Sequence, residues 1–319
     1  MLVEFFFPYL QPETENGRTQ IRARFIVRQA GHVIMQCLER SVYFVSWSLI
    51  VGGVLYFLRQ VKAHTQYGRY VETSSPGMMV PAKVAWFTQE LPSVLIPVLL
   101  LLTTDTLPGL GRGFLLWTFC LHYFQRNAVL EAFSQTSPHT LEREKKRELS
   151  EYGLLIRRLT FIYSLLNKGR PFPLFIMVSA FVFCSLNGFL QGHYMLHCAR
   201  YDDAWHTDAR FIGGLLLFFS GMAINIHSDH ILRNLRKPGE INYKIPEGGM
   251  FEWVSGANFF GEILEWCGYP AATWSLPSFA FAFFTICSIG PRAYHHHRFY
   301  LEKFESYPKS RKAVIPFIL

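Results

Sequence analysis

From Ser41 onward the chain alternates long apolar runs with short polar stretches. A helix needs about 20 mostly apolar residues to cross the hydrocarbon of a bilayer. On that measure Ser41–Leu58 is a first span without a charge. Val84–Thr104 is a second, interrupted only by Glu90, and Gly113–Gln125 is a short third that ends at Arg126. Pro171–Leu196 and Phe211–Ser228 are the fourth and fifth. Trp253–Pro291 is long enough for a sixth and a seventh, with the break expected in the Pro270–Pro277 stretch. The pattern predicts an all-α polytopic membrane protein of seven spans over 41–319, preceded by an N-terminal extension, 1–40. Within the extension, Arg22–Leu38 is apolar and basic, as in a segment lying on a membrane surface. A charged insertion at about 127–159 breaks the pattern. In its Ser134–Leu159 part, Thr140 is placed to cap a helix, and Tyr152, Leu155, Ile156 and Leu159 share one face. It reads as an interfacial helix on the cytosolic side.

Composition agrees with this pattern. Half of the 319 residues are hydrophobic, 30 are Phe, and only 17% are charged, below the roughly 25% of soluble domains. The formal charge of +8 matters less than its location. The loops after spans one, three and five, with the C-terminal tail, hold 23 of the 31 basic residues; those after spans two and four hold three. The positive-inside rule puts the first set and the C-terminus in the cytosol. The six cysteines are scattered without a CxxC pair, so neither a disulfide framework nor a metal site is expected.

Polar residues inside apolar spans are costly and mark pathways or sites. Here they are Glu90 in the second span; His122, Tyr123 and Arg126 at the end of the third; and Asn187 in the fourth. Asn225 and Asp229 follow in the fifth, and Asn258, Glu262 and Glu265 in the sixth. Asn225 and Asp229, like Asn258 and Glu262, are four apart and share a helix face. Together they describe a cavity open to the cytosol with a basic mouth, suited to an anionic ligand. "YHHHRFY" resembles a metal tract, but adjacent helical residues point about 100° apart, so His295, His296 and His297 cannot share one ion. No metal is expected.

The stretches "AWFTQELPS", "HYFQR", "TFIYSLLNKGRPFP", "NGFLQG", "INIHSDHILRNLRKPGE", "YKIPEGGMFEWVSGANFFGEILEWCGY" and "HHHRFYLEKFESYPKSRKAVIPFIL" cover most of Ala82–Leu319. In these the chain resembles the steroid 5α-reductase family, its C-terminal run being nearer the type 2 than the type 1 pattern. The resemblance implies a multi-pass endoplasmic-reticulum enzyme with seven helices around a cofactor and steroid cavity. It implies reduction of the carbon-4 to carbon-5 double bond of a 3-oxo steroid by NADPH, the steroid entering from the lipid. Nucleic acid and obligate protein partners are not expected. The family pattern places Glu90 and Tyr123 at the steroid 3-oxo oxygen. It carries Arg126, Tyr163, Arg170, Asn225, Asp229, Arg236, Tyr243, Asn258, Glu262, His296 and Tyr300 to the cofactor, and Trp86 and Trp266 to the walls of the site. The chain departs from the pattern by the 33 residues Asn127–Leu159 between "HYFQR" and "TFIYSLLNKGRP". Reduction of another enone or a polyprenol on the same scaffold, or steroid and NADPH binding with catalysis impaired by the insertion, are the alternatives.

Overall fold

Long helices carry the fold in the computed structural model, which describes residues 37–65, 70, 77–104, 107–128, 171–236, 240 and 242–319. Among those residues the long helices are α1 (Glu39–Lys62), α2 (Ala82–Thr103), α3 (Leu110–Ala128), α4 (Leu174–His193), α5 (Ala209–Asn234), α6 (Ala257–Thr273) and α7 (Leu276–Lys303). Four of them, α1, α2, α4 and α5, are long and apolar enough to cross a membrane, α4 continuing through a π-helical turn to Cys198. The sheet is a two-residue antiparallel ladder of β1 (Met79–Val80) on β2 (Phe172–Pro173). The N-terminal extension up to residue 36, and the insertion beyond Ala128, lie outside the described residues.

Three helix pairs organise the bundle: α5 with α6, α2 with α4, and α1 with α7. Glycine explains the first. A Cβ on Gly221 would lie 2.2 Å from the backbone N of Glu265, and one on Gly268 would lie 2.4 Å from that of Phe218. Gly214 and Gly261 meet equally close backbone on the facing helix. Without a hydrophobic force between helices in lipid, such close approach and the dispersion contacts it allows supply the attraction. The second pair works similarly. Pro92 and Pro97 lie inside α2, and Gly188 and Gly192 of α4 present their bare faces to them: a Cβ on Gly188 would lie 2.8 Å from the Pro92 carbonyl oxygen, and one on Gly192 3.1 Å from Pro97 Cα. The third pair is polar at one end: Gln60 donates to the Ser288 carbonyl at 2.7 Å, and Arg292 donates to the Tyr56 hydroxyl at 3.0 Å. Outward-facing side chains such as Phe44, Leu55, Leu102, Phe175 and Leu216 are exposed, as lipid contact requires.

The break between α6 and α7 falls at Trp274, which turns the chain with φ 45° before α7 begins. Thr273, Ser275 and Ser278 bond one another there, and α7 runs on through Pro291 to Lys303. The C-terminal tail folds back on the loop before α6. Ser255 N–H donates to the Lys312 carbonyl at 2.8 Å, Gly256 N–H to the Ala313 carbonyl at 2.9 Å, and Arg311 to the Pro246 carbonyl at 2.8 Å. One sequence expectation is corrected. Cys198 is disulfide-bonded, whereas Cys120, Cys184, Cys267 and Cys287 are in no disulfide.

Candidate active site

The inner faces of α3 and α6 make an aromatic wall. On α3, Phe119, His122 and Tyr123 fall three and four residues apart and so share a face. On α6, Glu265, Trp266 and Tyr269 do the same. Trp266 is 1% exposed and sits at the centre. Its ring lies 4.5 Å from those of His122 and Phe281, 5.8 Å from Phe218 and 6.0 Å from Tyr123. Tyr269 donates its hydroxyl to the Leu115 carbonyl at 3.3 Å. Tyr123 is 6% exposed, with the Phe119 and His122 rings 5.2 and 5.0 Å away. Glu90, 8% exposed, comes from α2, which packs on α3. Trp86 lies one turn before it, its ring 5.7 Å from Phe172 of β2.

His122 Nδ1 and Glu265 Oε1 stand 2.6 Å apart with both side chains buried. The sequence marked both as intramembrane polar groups but gave neither a partner. Their pairing joins positions 143 residues apart, which no local spacing encodes.

A second group of expected residues gathers toward the end where α5 and α7 finish and α6 begins. Asn225 of α5 donates its side-chain N–H to the Asn258 carbonyl of α6 at 2.9 Å. Because α5 and α6 run antiparallel, Asp229 lies one turn nearer this end on α5 and Glu262 one turn the other way on α6. Beyond them Tyr243 is bracketed by cations: the Arg236 guanidinium at 5.4 Å and Lys303 Nζ at 5.7 Å from its ring. Phe299 of α7 touches the same ring at 5.1 Å. Cation–π contacts of this kind hold cations near a ring at the rim of a bundle. Tyr300 is buried and stacked on Tyr307 of the tail at 5.3 Å. His296 meets Phe259 of α6 at 5.4 Å and Tyr70 at 6.0 Å.

The three consecutive histidines go to three different neighbours. His295 bonds the Gln60 carbonyl at 2.9 Å, His296 makes the ring contacts just given, and His297 bonds the Ser255 hydroxyl at 2.6 Å. His64 stacks on Tyr70 at 4.5 Å and abuts His295 at 4.1 Å. Burial, then the His295 charge, hold His64 below its ordinary value. Of the remaining expected residues, Arg126 closes α3 with only its backbone described, and Tyr163 and Arg170 lie outside the described residues.

The donor chemistry suits a two-ended anionic cofactor. Amide and carboxylate groups of Asn225, Asn258, Asp229 and Glu262 match an amide and hydroxyl-bearing end. Arg236 lies roughly 16 Å farther along the α5 direction, and with Lys303 it forms the cationic end.

Comparison with known proteins gives this arrangement its context. Residues 170–319 match the family model described as 3-oxo-5-alpha-steroid 4-dehydrogenase. The chain is 48% identical over 286 residues to 3-oxo-5-alpha-steroid 4-dehydrogenase 2 of Homo sapiens, covering 89% of this chain and 99% of that protein. It is 51% identical over 288 residues to the type 2 protein of Sus scrofa, covering 89% and 99%. To 3-oxo-5-alpha-steroid 4-dehydrogenase 1 of Homo sapiens it is 43% identical over 283 residues, covering 88% and 96%. The chain belongs to the 3-oxo-5-alpha-steroid 4-dehydrogenase family, a family of steroid oxidoreductases.

Proposed function

We propose that the protein reduces the carbon-4 to carbon-5 double bond of 3-oxo-Δ4 steroids, a testosterone to dihydrotestosterone type of reaction. The observation that carries this reading is the buried phenol of Tyr123 in the α3–α6 aromatic wall, in a chain whose relatives bear that name. A flat apolar steroid suits aromatic walls with few polar groups.

Asn225, Asp229, Asn258, Glu262, Arg236, Tyr243, His296 and Tyr300 would hold NADPH, which when bound would supply a hydride for carbon 5, a proton at carbon 4 completing the reduction. Arg126, Tyr163 and Arg170 complete the cofactor set by family pattern, and Trp86 and Trp266 wall the steroid. Tyr123 donates a hydrogen bond to the 3-oxo oxygen, and that bond strengthens as negative charge builds there in the transition state. Glu90 orients Tyr123 or, when protonated, donates to the same oxygen. Burial removes competing water, so each donor acts more strongly than it would in bulk solvent.

All seven long helices cross the membrane in this reading. The three that are too short or too polar to qualify on composition, α3, α6 and α7, carry Tyr123, Asn258, Glu262, Trp266, His296 and Tyr300. Interior polar residues are what lower the apolarity of helices that line a site. The membrane is that of the endoplasmic reticulum, with the C-terminus in the cytosol where the basic loops lie.

Microsomes carrying the protein, given NADPH and testosterone, are expected to yield dihydrotestosterone. Tyr123→Phe removes one donor to a developing oxyanion and lowers kcat by about 10²–10³-fold with little change in KM. Glu90→Gln loses most activity as well. Unchanged turnover in both variants would remove the polarising pair from the mechanism.

A further inference from the structure

The α5–α6 pair is locked backbone to backbone by its glycines, and Glu265 sits at one of the closest points. Its backbone N is the atom a Cβ on Gly221 would strike at 2.2 Å. The Glu265 carboxylate is therefore presented by a fixed helix. Across from it, α3 approaches α6 at few backbone positions, so side chains make the join. Most of those contacts are ring against ring, with Phe119 and Tyr123 on Trp266 at 6.0 Å each. Apolar ring contacts tolerate small rotations and slides. A buried hydrogen bond does not, because breaking it strands two polar groups in a dry interior.

His122 and Glu265 make that bond, Nδ1 and a carboxylate oxygen standing 2.6 Å apart. Each is next in sequence to a residue of the wall: His122 precedes Tyr123, and Glu265 precedes Trp266. The His122 ring also fills the angle between the two, edge-on to Trp266 at 4.5 Å and to Tyr123 at 5.0 Å. Fixing His122 on α6 fixes the rotation of α3 about its axis, and with it the direction of the Tyr123 phenol. We propose that the buried His122–Glu265 pair is a positioning device that sets α3 against the anchored α6 and so aims Tyr123 at the steroid 3-oxo oxygen. This rests on the reading of Tyr123 as the donor to that oxygen.

The test separates aiming from mere stability. His122→Phe with Glu265→Leu replaces the whole pair by apolar groups of similar size, a change that commonly leaves a fold as stable as before. The full-length double variant is expected to keep its thermal midpoint within about 5 °C. Its kcat falls about 10- to 100-fold, the scale of a small misplacement in a reacting geometry, while KM stays within about threefold. The carbonyl stretch of a bound 3-oxo steroid labelled with carbon-13 at carbon 3, read by difference infrared spectroscopy, moves toward its value in Tyr123→Phe. His122→Asn, whose amide N–H can stand where Nδ1 stands, retains kcat within about threefold. A folded double variant with wild-type kcat and carbonyl stretch overturns the proposal, as does His122→Asn being as impaired as the double variant. Tyr123→Phe is the independent arm. If it leaves kcat and the stretch unchanged, the reading of Tyr123 falls and takes this inference with it. If it is impaired while the double variant is not, the positioning pair alone is refuted.

Discussion

Neighbouring glycines on α5 have opposite surroundings. Around Gly213 nothing lies within 4 Å of an added Cβ, whereas at Gly214 that atom would lie 2.3 Å from Ala272 N and 2.7 Å from the Gly268 carbonyl. Backbone cannot yield as a flexible side chain can, so Gly214→Ala must separate α5 from α6. The expected cost is at least the ~1–3 kcal/mol of overpacking. It is read as a lowered thermal midpoint and loss of the monodisperse peak in size exclusion, with Gly213→Ala close to wild type. Equal behaviour of the two variants would show that the stripe does not hold the helices together. The residue types were plain in the sequence, but their pairing was not. Polar positions inside apolar runs announced Glu90, Tyr123, Asn225 and Asn258, because a buried polar group stands out against its surroundings. Gly221 and Gly268 announced nothing, since a bare face acquires meaning only from what lies against it. The same holds for His122 and Glu265, whose bond is a product of packing.

At the scale of elements, the length of the apolar runs located the helices, and the Pro270–Pro277 stretch located the last turn, which the structure places at Trp274. The C-terminal tail was legible only as basic sequence and as part of a resemblance. Of its apolar "AVIPFIL" run only Ala313 and Val314 are buried, while Ile315, Phe317, Ile318 and Leu319 are exposed. In the structure Ser255 is the clasp, its hydroxyl 2.6 Å from both His297 Nδ1 and the Tyr307 hydroxyl. It binds the loop before α6, the end of α7 and the tail into one unit, and Tyr300 is stacked within it. Ser255→Ala leaves the buried Tyr307 and the half-buried His297 without that hydroxyl, a loss of about 1–3 kcal/mol. Local opening of the tail follows, so trypsin cleavage beside Arg311 and Lys312 is expected to accelerate. Arg298→Ala removes only an exposed pair with Glu302 at 3.1 Å, worth about 0–1 kcal/mol, and serves as the control. Equal cleavage rates in both variants would deny Ser255 its part in the clasp.

For the whole molecule, two features bear on the proposed orientation, the basic loops and a disulfide, and an aromatic collar marks one interface. The basic loops cluster at the end where α1, α5 and α7 terminate. The opposite end carries Tyr201 and Trp205, which donate to the Thr273 and Ala272 carbonyls at 2.5 and 3.1 Å. Arg210 lies between the Trp205 and Trp274 rings there, at 4.6 and 5.1 Å. An aromatic and polar collar of this kind suits a membrane–water interface. Cys198 lies at that end and is disulfide-bonded, and disulfides persist in an oxidising lumen rather than in the cytosol. An acceptor Asn-X-Thr engineered into the Ala199–Asp208 loop is therefore expected to be glycosylated in microsomes, and one appended after Leu319 is not. Asp208 supplies a companion readout. Its hydrogen bonds to the Arg210 side chain, then to the Arg210 backbone N–H, hold its carboxyl down at about 2. A depressed carboxylate stabilises the cap of α5 above its ordinary range, and the benefit fades as pH falls through its folded value. Asp208→Asn should thus behave like wild type in strong acid and differ from it near neutrality, with the lumenal pH acting on the group. A glycan at the C-terminal acceptor, with none in the Ala199–Asp208 loop, would invert the whole assignment. It would also place the Arg236–Tyr243–Lys303 cluster in the lumen, away from a cytosolic supply of anionic cofactor.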